Sequence, residues 1–138
     1  MPYFCLNTYN MDRKILAAGA FFGMTAVILG AFGAHALKEV LSPQQIVTFE
    51  TGVKYQFYHA LLLLFIGSGA YISEKKRQVV FWLVVLGTIM FSGSIYLLAT
   101  DSLNDVNFRQ FGFITPIGGT LLIVAWFLLF IDFLRKKS

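Results

Sequence analysis

The feature that most constrains this chain is an apolar segment near its start. Residues 15–34 run for twenty positions without a charged side chain. As an α-helix the segment would extend about 30 Å, which is the thickness of the hydrocarbon core of a bilayer. Charged residues make up only 13% of the chain, against roughly 25% in soluble domains. The segment therefore predicts a membrane span rather than a buried helix of a soluble fold.

Three further segments complete the predicted membrane domain. Two of them, residues 79–99 and 114–131, are likewise apolar and free of charged side chains. The other contains Lys54, which can extend to the interface, and His59, the most interior ionisable group. We predict an N-terminal cytoplasmic extension, a domain of four transmembrane helices, and a basic cytoplasmic tail. Their bounds are 1–14 for the extension, 15–134 for the domain, about 15–35, 53–72, 79–99 and 114–134 for the spans, and 135–138 for the tail.

Local signals predict where helices begin. Ser42, Pro43 and Gln45 form a capping-box pattern, so we expect the second helix to begin near Pro43, before it enters lipid. Thr115 and Pro116 indicate a similar start for the fourth helix. Residues 74–77 are interpreted as a polar connection between the second and third helices.

The start of the chain also resembles a cleavable export signal. Arg13 and Lys14 precede the apolar segment, and Ala34-His35-Ala36 follows it as an A-x-A site. The core of an export signal is normally about 7–15 residues, shorter than this segment. We therefore expect the first helix to be retained, with Met11 as an alternative start of the protein.

The distribution of positive residues predicts the topology. With four spans, eight lysines and arginines fall on the side of the termini and three on the other side. Because positive residues concentrate in cytoplasmic segments, both termini are predicted to be cytoplasmic. The predicted fold is an all-α, integral membrane four-helix bundle with up-down topology. The net charge of +4 is explained by this bias, and no basic face indicates a nucleic-acid partner.

Small residues predict how the helices pack. In lipid, close backbone approach replaces much of the hydrophobic driving force between helices. The first helix carries a stripe of small residues at helical spacing, and the other helices carry further glycines. We interpret these positions as the bundle core, and the first-helix stripe has a dimerisation face as its alternative. The predicted packing glycines are Gly19, Gly23, Gly30, Gly33, Gly67 and Gly119.

A few polar residues form the candidate site. A hairpin about Ser42-Pro43 would place residues whose numbers sum to about 85 opposite each other, and so His35 opposite Glu50. We expect His59 to point into the bundle as a neutral ring that pairs with Thr88 or Ser92. A neutral histidine with a hydroxyl partner and a functional intramembrane group both remain open for it. The full set of candidates is His35, Glu50, Lys54, Tyr55, His59, Thr88 and Ser92.

Catalytic, metal and cofactor sites are not expected. The sequence contains no nucleophile–base–acid grouping, phosphate-binding glycine loop or histidine cluster. Cys5 is the single cysteine, so an internal disulfide and a cysteine-ligated metal are excluded. Haem ligation by two histidines is disfavoured because they lie at different depths.

Four motifs carry a family resemblance. They are GAFGAHALK at residues 30–38, FETGVKYQFYHALLLL at 49–64, FSGSIYLLA at 91–99 and ITPIGGTLLIVAW at 114–126. Together they resemble the YgdD/YwdK-like family of small bacterial inner-membrane proteins, the domain of unknown function 423 family. The resemblance implies a four-helix membrane protein with no assigned reaction, cofactor or ligand.

Two functional hypotheses follow. The first is a non-enzymatic, multi-pass inner-membrane protein that packs against membrane lipids, a second copy of itself or a larger membrane-protein partner. The alternative is a minimal oligomeric transporter or channel that uses His59, Thr88 and Ser92. A wet cavity at His59 would favour transport, whereas a dry packed contact would favour the first hypothesis.

Overall fold

The computed structural model describes residues 2–69, 72–103 and 108–135, with the backbone alone described for residues 2–9, 108 and 109. Four α-helices make up most of it: α1 (Pro2–His35), α2 (Pro43–Gly67), α3 (Glu74–Ala99) and α4 (Ile114–Leu134). Short 3-10 turns occupy Leu37–Glu39, Asp101–Leu103 and Phe108–Phe111. The prediction of an all-α fold is confirmed for these residues.

Three helical segments of the described chain are long and apolar enough to cross a membrane. They are Asn10–Glu39, α3 and α4, with mean hydropathies of 2.1, 2.0 and 2.3. α2 is long enough, at 25 residues, but it is not among them. Its polar and charged side chains, among them Glu50, Lys54, Gln56 and His59, lower its hydropathy. The criterion of length and composition therefore supports three of the four predicted spans.

The start of α2 agrees with the capping-box prediction. The Gln45 backbone N–H donates to Ser42 Oγ at 3.2 Å, and the Ser42 backbone N–H donates to Gln45 Oε1 at 2.9 Å. Pro43 occupies the first helical position, where a missing N–H leaves no helical hydrogen bond unmade. The predicted capping box is confirmed.

Two other predicted boundaries are wrong. α3 begins at Glu74, so residues 74–77 form its first turn and not a connection. An acidic residue in the first turn stabilises a helix through the backbone dipole. α4 begins at Ile114, and the Phe113 side chain makes no capping hydrogen bond. Thr115 is the second residue of this helix and not its cap, and its hydroxyl lies 2.5 Å from the hydroxyl of Ser94 on α3.

α1 and α2 pack as an antiparallel hairpin. A Cβ placed on Gly33 would lie 2.9 Å from the Phe49 ring, and one on Gly67 would lie 2.8 Å from Leu16 Cγ. The facing residues therefore have numbers that sum to about 83, two fewer than predicted. α2 also packs on α3, and α3 packs on α4.

Two apolar clusters occupy opposite ends of the packed helices. The larger contains Leu63 of α2, with Val80 and Val84 of α3 and Ala125 of α4. The smaller contains Phe49, with residues of the α1–α2 turn and the end of α3. Along α2, the polar residues Gln56 and His59 separate the two clusters.

Candidate functional site

The candidate site is the buried polar layer between the two apolar clusters. We use this name for five residues of α2 and α3: Gln56, His59, Thr88, Ser92 and Tyr96. The first four are between 2% and 7% exposed. A polar group at such depth is costly unless it is hydrogen-bonded, so its partners decide what the layer does.

Gln56 connects three helices. Its amide nitrogen donates to the Phe22 carbonyl oxygen at 2.9 Å and to Thr25 Oγ1 at 2.7 Å, both on α1. Its amide oxygen accepts from the Tyr96 hydroxyl of α3 at 2.6 Å. The side chain thus uses its donor and acceptor ends on opposite neighbours, which holds α1, α2 and α3 in register.

Ser92 adds a second link between α2 and α3. Its hydroxyl donates to the Gly52 carbonyl oxygen at 2.8 Å. Gly52 allows this approach, because a Cβ there would lie 2.7 Å from Tyr96 Cε1. The glycine and the serine together bring the two backbones close.

His59 connects α2 to α4. Its Nδ1 lies 2.7 Å from the Tyr55 carbonyl oxygen, and the Trp126 indole N–H donates to its Nε2 at 3.1 Å. A carbonyl oxygen only accepts and an indole N–H only donates, so both contacts require a proton on Nδ1 and none on Nε2. This pattern corresponds to a neutral imidazole.

The expected partners of His59 are wrong. Ser92 is committed to Gly52, and Thr88 Oγ1 is buried with no hydrogen-bond partner. The actual donor, Trp126, was not among the candidates. The available signal was the indole N–H itself, which needs a partner on an otherwise apolar helix. Tyr55 lies beside this contact, with its ring stacked on that of His59 at a centroid distance of 6.4 Å.

The predicted His35–Glu50 pair is also wrong. Both side chains are exposed, and no hydrogen bond or ion pair joins them in the described structure. The reason is the register of the hairpin, in which Phe49 faces α1 at Gly33. Glu50 is one residue further on, about 100° around the helix axis, and so points away. Lys54 is likewise exposed and forms no ion pair with Glu50.

An ion pair that sequence reasoning missed lies at the end where α1 and α3 begin. Arg77 Nη1 donates to Asp12 Oδ1 at 2.6 Å, and Nη2 donates to the Ile72 carbonyl oxygen at 3.2 Å. Arg77 is 7% exposed, and its Nε is buried without a partner. Asp132 is also buried and accepts from the Ser73 backbone N–H at 3.4 Å. These contacts join α1, α3 and α4 at one end.

The predicted packing glycines lie at helix contacts of different closeness. A Cβ on Gly19 would lie 3.0 Å from the Ala60 carbonyl oxygen, whereas one on Gly23 would lie 3.8 Å from Ala60 Cβ. A Cβ on Gly30 would lie 3.4 Å from Val53 Cγ1, and one on Gly119 would lie 3.5 Å from the Phe91 ring. The closest contact with another helix is made by a glycine outside the predicted set. A Cβ on Gly118 would lie 2.5 Å from the Phe91 backbone nitrogen.

Comparison with known proteins places the chain in a family. The sequence profile described as "Protein of unknown function (DUF423)" matches residues 29–119, which include all of α2 and α3. The chain belongs to the DUF423 family. The resemblance predicted from the four motifs is confirmed. No solved structure matches the chain.

Relatives of this DUF423 protein are named as membrane proteins. A UPF0382 membrane protein of Staphylococcus saprophyticus is 43% identical over 86% of this chain and 95% of its own length. A UPF0382 membrane protein of Haemophilus influenzae is 34% identical over 93% of this chain and 99% of its own length. The UPF0382 inner membrane protein YgdD of Escherichia coli is 34% identical over 91% of this chain and 93% of its own length. With its apolar helices, the chain is a membrane protein of this family.

Proposed function

We propose that this DUF423 protein is a non-enzymatic, multi-pass protein of the inner membrane that acts through its apolar outer surface. In this proposal its four helices form an up-down transmembrane bundle with both termini in the cytoplasm. The surface contacts lipid or a membrane partner, and no reaction takes place in the interior. The observation that carries the proposal is the polar layer, in which Gln56, His59 and Ser92 are paired with neighbouring helices.

The hydrogen bonds made by the polar side chains of α2 support its inclusion as a fourth span. In lipid, a buried polar side chain is costly unless it finds a partner within the protein. Gln56 is bonded to α1 and α3, and His59 to α4. Since these two side chains face protein and not lipid, their contribution to the low hydropathy of α2 is compatible with a position inside a bundle.

The outer surface supports contact with lipid. Many large apolar side chains are more than half exposed, which is unusual for a protein surrounded by water. They occur on every helix of the bundle. Examples are Phe21 and Val27 on α1, Tyr58 on α2, Trp82 and Ile89 on α3, and Ile123, Phe127 and Phe130 on α4.

Cys5 provides a test of the topology. It is the single cysteine of the chain, so a membrane-impermeant maleimide reports on one position without background. We expect Cys5 to be labelled in inverted membrane vesicles and protected in intact cells, because the positive-residue bias favours a cytoplasmic N-terminus. In a Cys5→Ser background, Ser138→Cys should behave as Cys5 does.

Ser102 is the position that decides whether α2 crosses the membrane. It is exposed and lies between α3 and α4. With four spans, Ser102→Cys in the Cys5→Ser background should be labelled in intact cells. If only α1, α3 and α4 crossed, Ser102→Cys would be labelled from the same side as Cys5. Labelling of both from one side would refute the four-span bundle, and labelling of Cys5 in intact cells would refute the orientation.

The transporter alternative has one structural observation in its favour. Thr88 Oγ1 is buried without a partner, which leaves an unpaired polar group in the same layer as His59. A transporter that moves protons through His59 would need that ring to change its protonation state. The two hypotheses therefore differ in how the His59–Trp126 contact responds to pH.

Trp126 fluorescence separates these hypotheses. In Trp82→Phe, Trp126 is the sole tryptophan, and protonation of His59 at Nε2 would break the hydrogen bond from the indole. We expect its emission in reconstituted protein to be constant between about pH 5 and pH 8, the range in which an exposed histidine titrates. A quenching transition in this range that His59→Leu abolishes would contradict the proposal and favour transport.

A further inference from the structure

A groove on the outer surface between α1 and α2 combines an apolar floor with a single charge. It has a volume of about 450 Å³, and small or apolar side chains such as Ala26, Ala31, Val53 and Phe57 line it. Lys54 is the one charged residue among its eight lining residues. The apolar floor suits the acyl chain of an anionic lipid, and the charge suits its phosphate.

The groove owes its depth to small side chains on α1. Gly30 and Ala31 face a stretch of α2 that carries larger side chains. A Cβ on Gly30 would lie 3.4 Å from Val53 Cγ1, so alanine there would already touch α2, and glycine leaves that space open. Apolar walls of this kind can hold methylene groups through dispersion contacts.

Lys54 lies at the end of the groove nearest the start of α2. The hairpin register sets it level with the last turns of α1, and its side chain is exposed. A lysine at this depth extends its ammonium group toward the headgroup region while its methylene stem stays against apolar surface. Lys54 forms no ion pair within the described chain, and Glu50, one turn earlier, does not line the groove.

We propose that this groove binds an anionic phospholipid, with one acyl chain along α1 and α2 and the phosphate beside Lys54. The inference rests on the proposed function, since it requires the helices to lie in a bilayer. A second apolar groove, of about 510 Å³ between α2 and α4, serves as an internal comparison. Its lining residues, Phe65 and Trp126 among them, include no charged side chain, so it offers an acyl chain no headgroup partner.

Native mass spectrometry tests this with a defined mixture of lipids. The purified protein is equilibrated with equal amounts of phosphatidylglycerol and phosphatidylcholine that carry the same acyl chains. We expect wild-type protein to retain phosphatidylglycerol with about a fivefold preference, which corresponds to about 1 kcal/mol for one lysine near a headgroup. Lys54→Gln should lower the ratio to about one, and Lys54→Arg should keep the preference.

Two further variants separate the groove from general surface charge. Lys38→Gln removes another exposed lysine, which does not line the groove, and should leave the preference unchanged. Ala31→Leu fills the groove and should reduce retention of both lipids. Equal retention of the two lipids by the wild type, equal losses in Lys54→Gln and Lys38→Gln, or a dimer mass in place of the lipid adduct would overturn the inference. If maleimide labelling confirms four spans while no lipid preference is found, this inference alone fails.

Discussion

We expect Gly118→Ala to destabilise the packed helices by about 2–3 kcal/mol, near the upper end of what an added methyl group costs in a close-packed interior. A Cβ at this position would lie 2.5 Å from the Phe91 nitrogen and 2.9 Å from the Met90 carbonyl carbon. These are backbone atoms of α3, so no side-chain rotation can relieve the overlap. The methyl group can be accommodated only if α3 and α4 move apart along their contact.

Two other glycines give matched controls for this methyl group. Gly119→Ala would place its Cβ 3.5 Å from the Phe91 ring, an ordinary contact, so we expect a change below about 1 kcal/mol. Gly93 in α3 has no atom within 4 Å of such a Cβ, and alanine there should be neutral or slightly stabilising. Unfolding followed by circular dichroism in mild detergent measures all three. An effect of Gly118→Ala no larger than that of Gly93→Ala would show that the α3–α4 contact is not this close.

The close contact at Gly118 illustrates which helix contacts the spacing of small residues can and cannot predict. The small-residue pattern predicted Gly119 as a packing glycine at the start of α4, where α4 contacts α3 and Thr115 meets Ser94. It did not show which of two adjacent glycines makes the closest contact. Neighbouring residues differ by about 100° around a helix, and the rotation of α4 is set by its partner's side chains.

The helices themselves were predictable because length and hydropathy are local properties. The start of α2 was predictable for the same reason, since Ser42 and Gln45 form the capping box between themselves. The start of α3 was not. The charges of residues 74–77 indicated a connection, but Arg77 is buried by contacts with Asp12 and Ile72.

The polar layer shows why partners are harder to predict than burial. His59 and Gln56 are the polar residues deepest in α2, and both are buried. Their partners depend on which helices are adjacent and at what height. His59 meets Trp126 on α4 because α2 contacts α4 as well as α3, and nothing in the local pattern of α2 states that adjacency. Gln56 was passed over because uncharged amides carry little chemical signal, although an amide in a span always needs partners.

Removing one partner of the ion pair between Asp12 and Arg77 is expected to destabilise the protein as much as Gly118→Ala does. Arg77 is 7% exposed, and Asp12 is its sole acidic partner within 4.0 Å in the described chain. Removing the partner of a buried charge costs about 3–5 kcal/mol, because the remaining charge keeps its desolvation penalty. Asp12 is 24% exposed on its side chain, so water can enter once the carboxylate is removed. We therefore expect Asp12→Ala to destabilise the protein by about 3 kcal/mol, the lower end of that range.

The double variant Asp12→Ala/Arg77→Met removes the ion pair without leaving a buried charge unpaired. Methionine keeps the length of the arginine stem without the charge, so the double variant should recover to within about 1 kcal/mol of the wild type. Lys75→Met, the same kind of change at an exposed position of α3, should alter stability by less than about 0.5 kcal/mol. A double-mutant cycle from detergent unfolding gives the coupling energy directly.

The informative result is which variant is less stable, Asp12→Ala or the double variant. If Arg77 merely packs its stem against Ile72, then Asp12→Ala alone should have little effect and the double variant should be the least stable of the set. If the unpaired charge of Arg77 is what destabilises the protein, Asp12→Ala should be the least stable variant, and the second substitution should restore stability. The second order is expected, because Arg77 Nε is already buried without a partner and the guanidinium has one carboxylate and one carbonyl oxygen to satisfy it. Loss of the carboxylate leaves a single neutral acceptor for a full positive charge, and that charge then opposes the packing of α1 against α3.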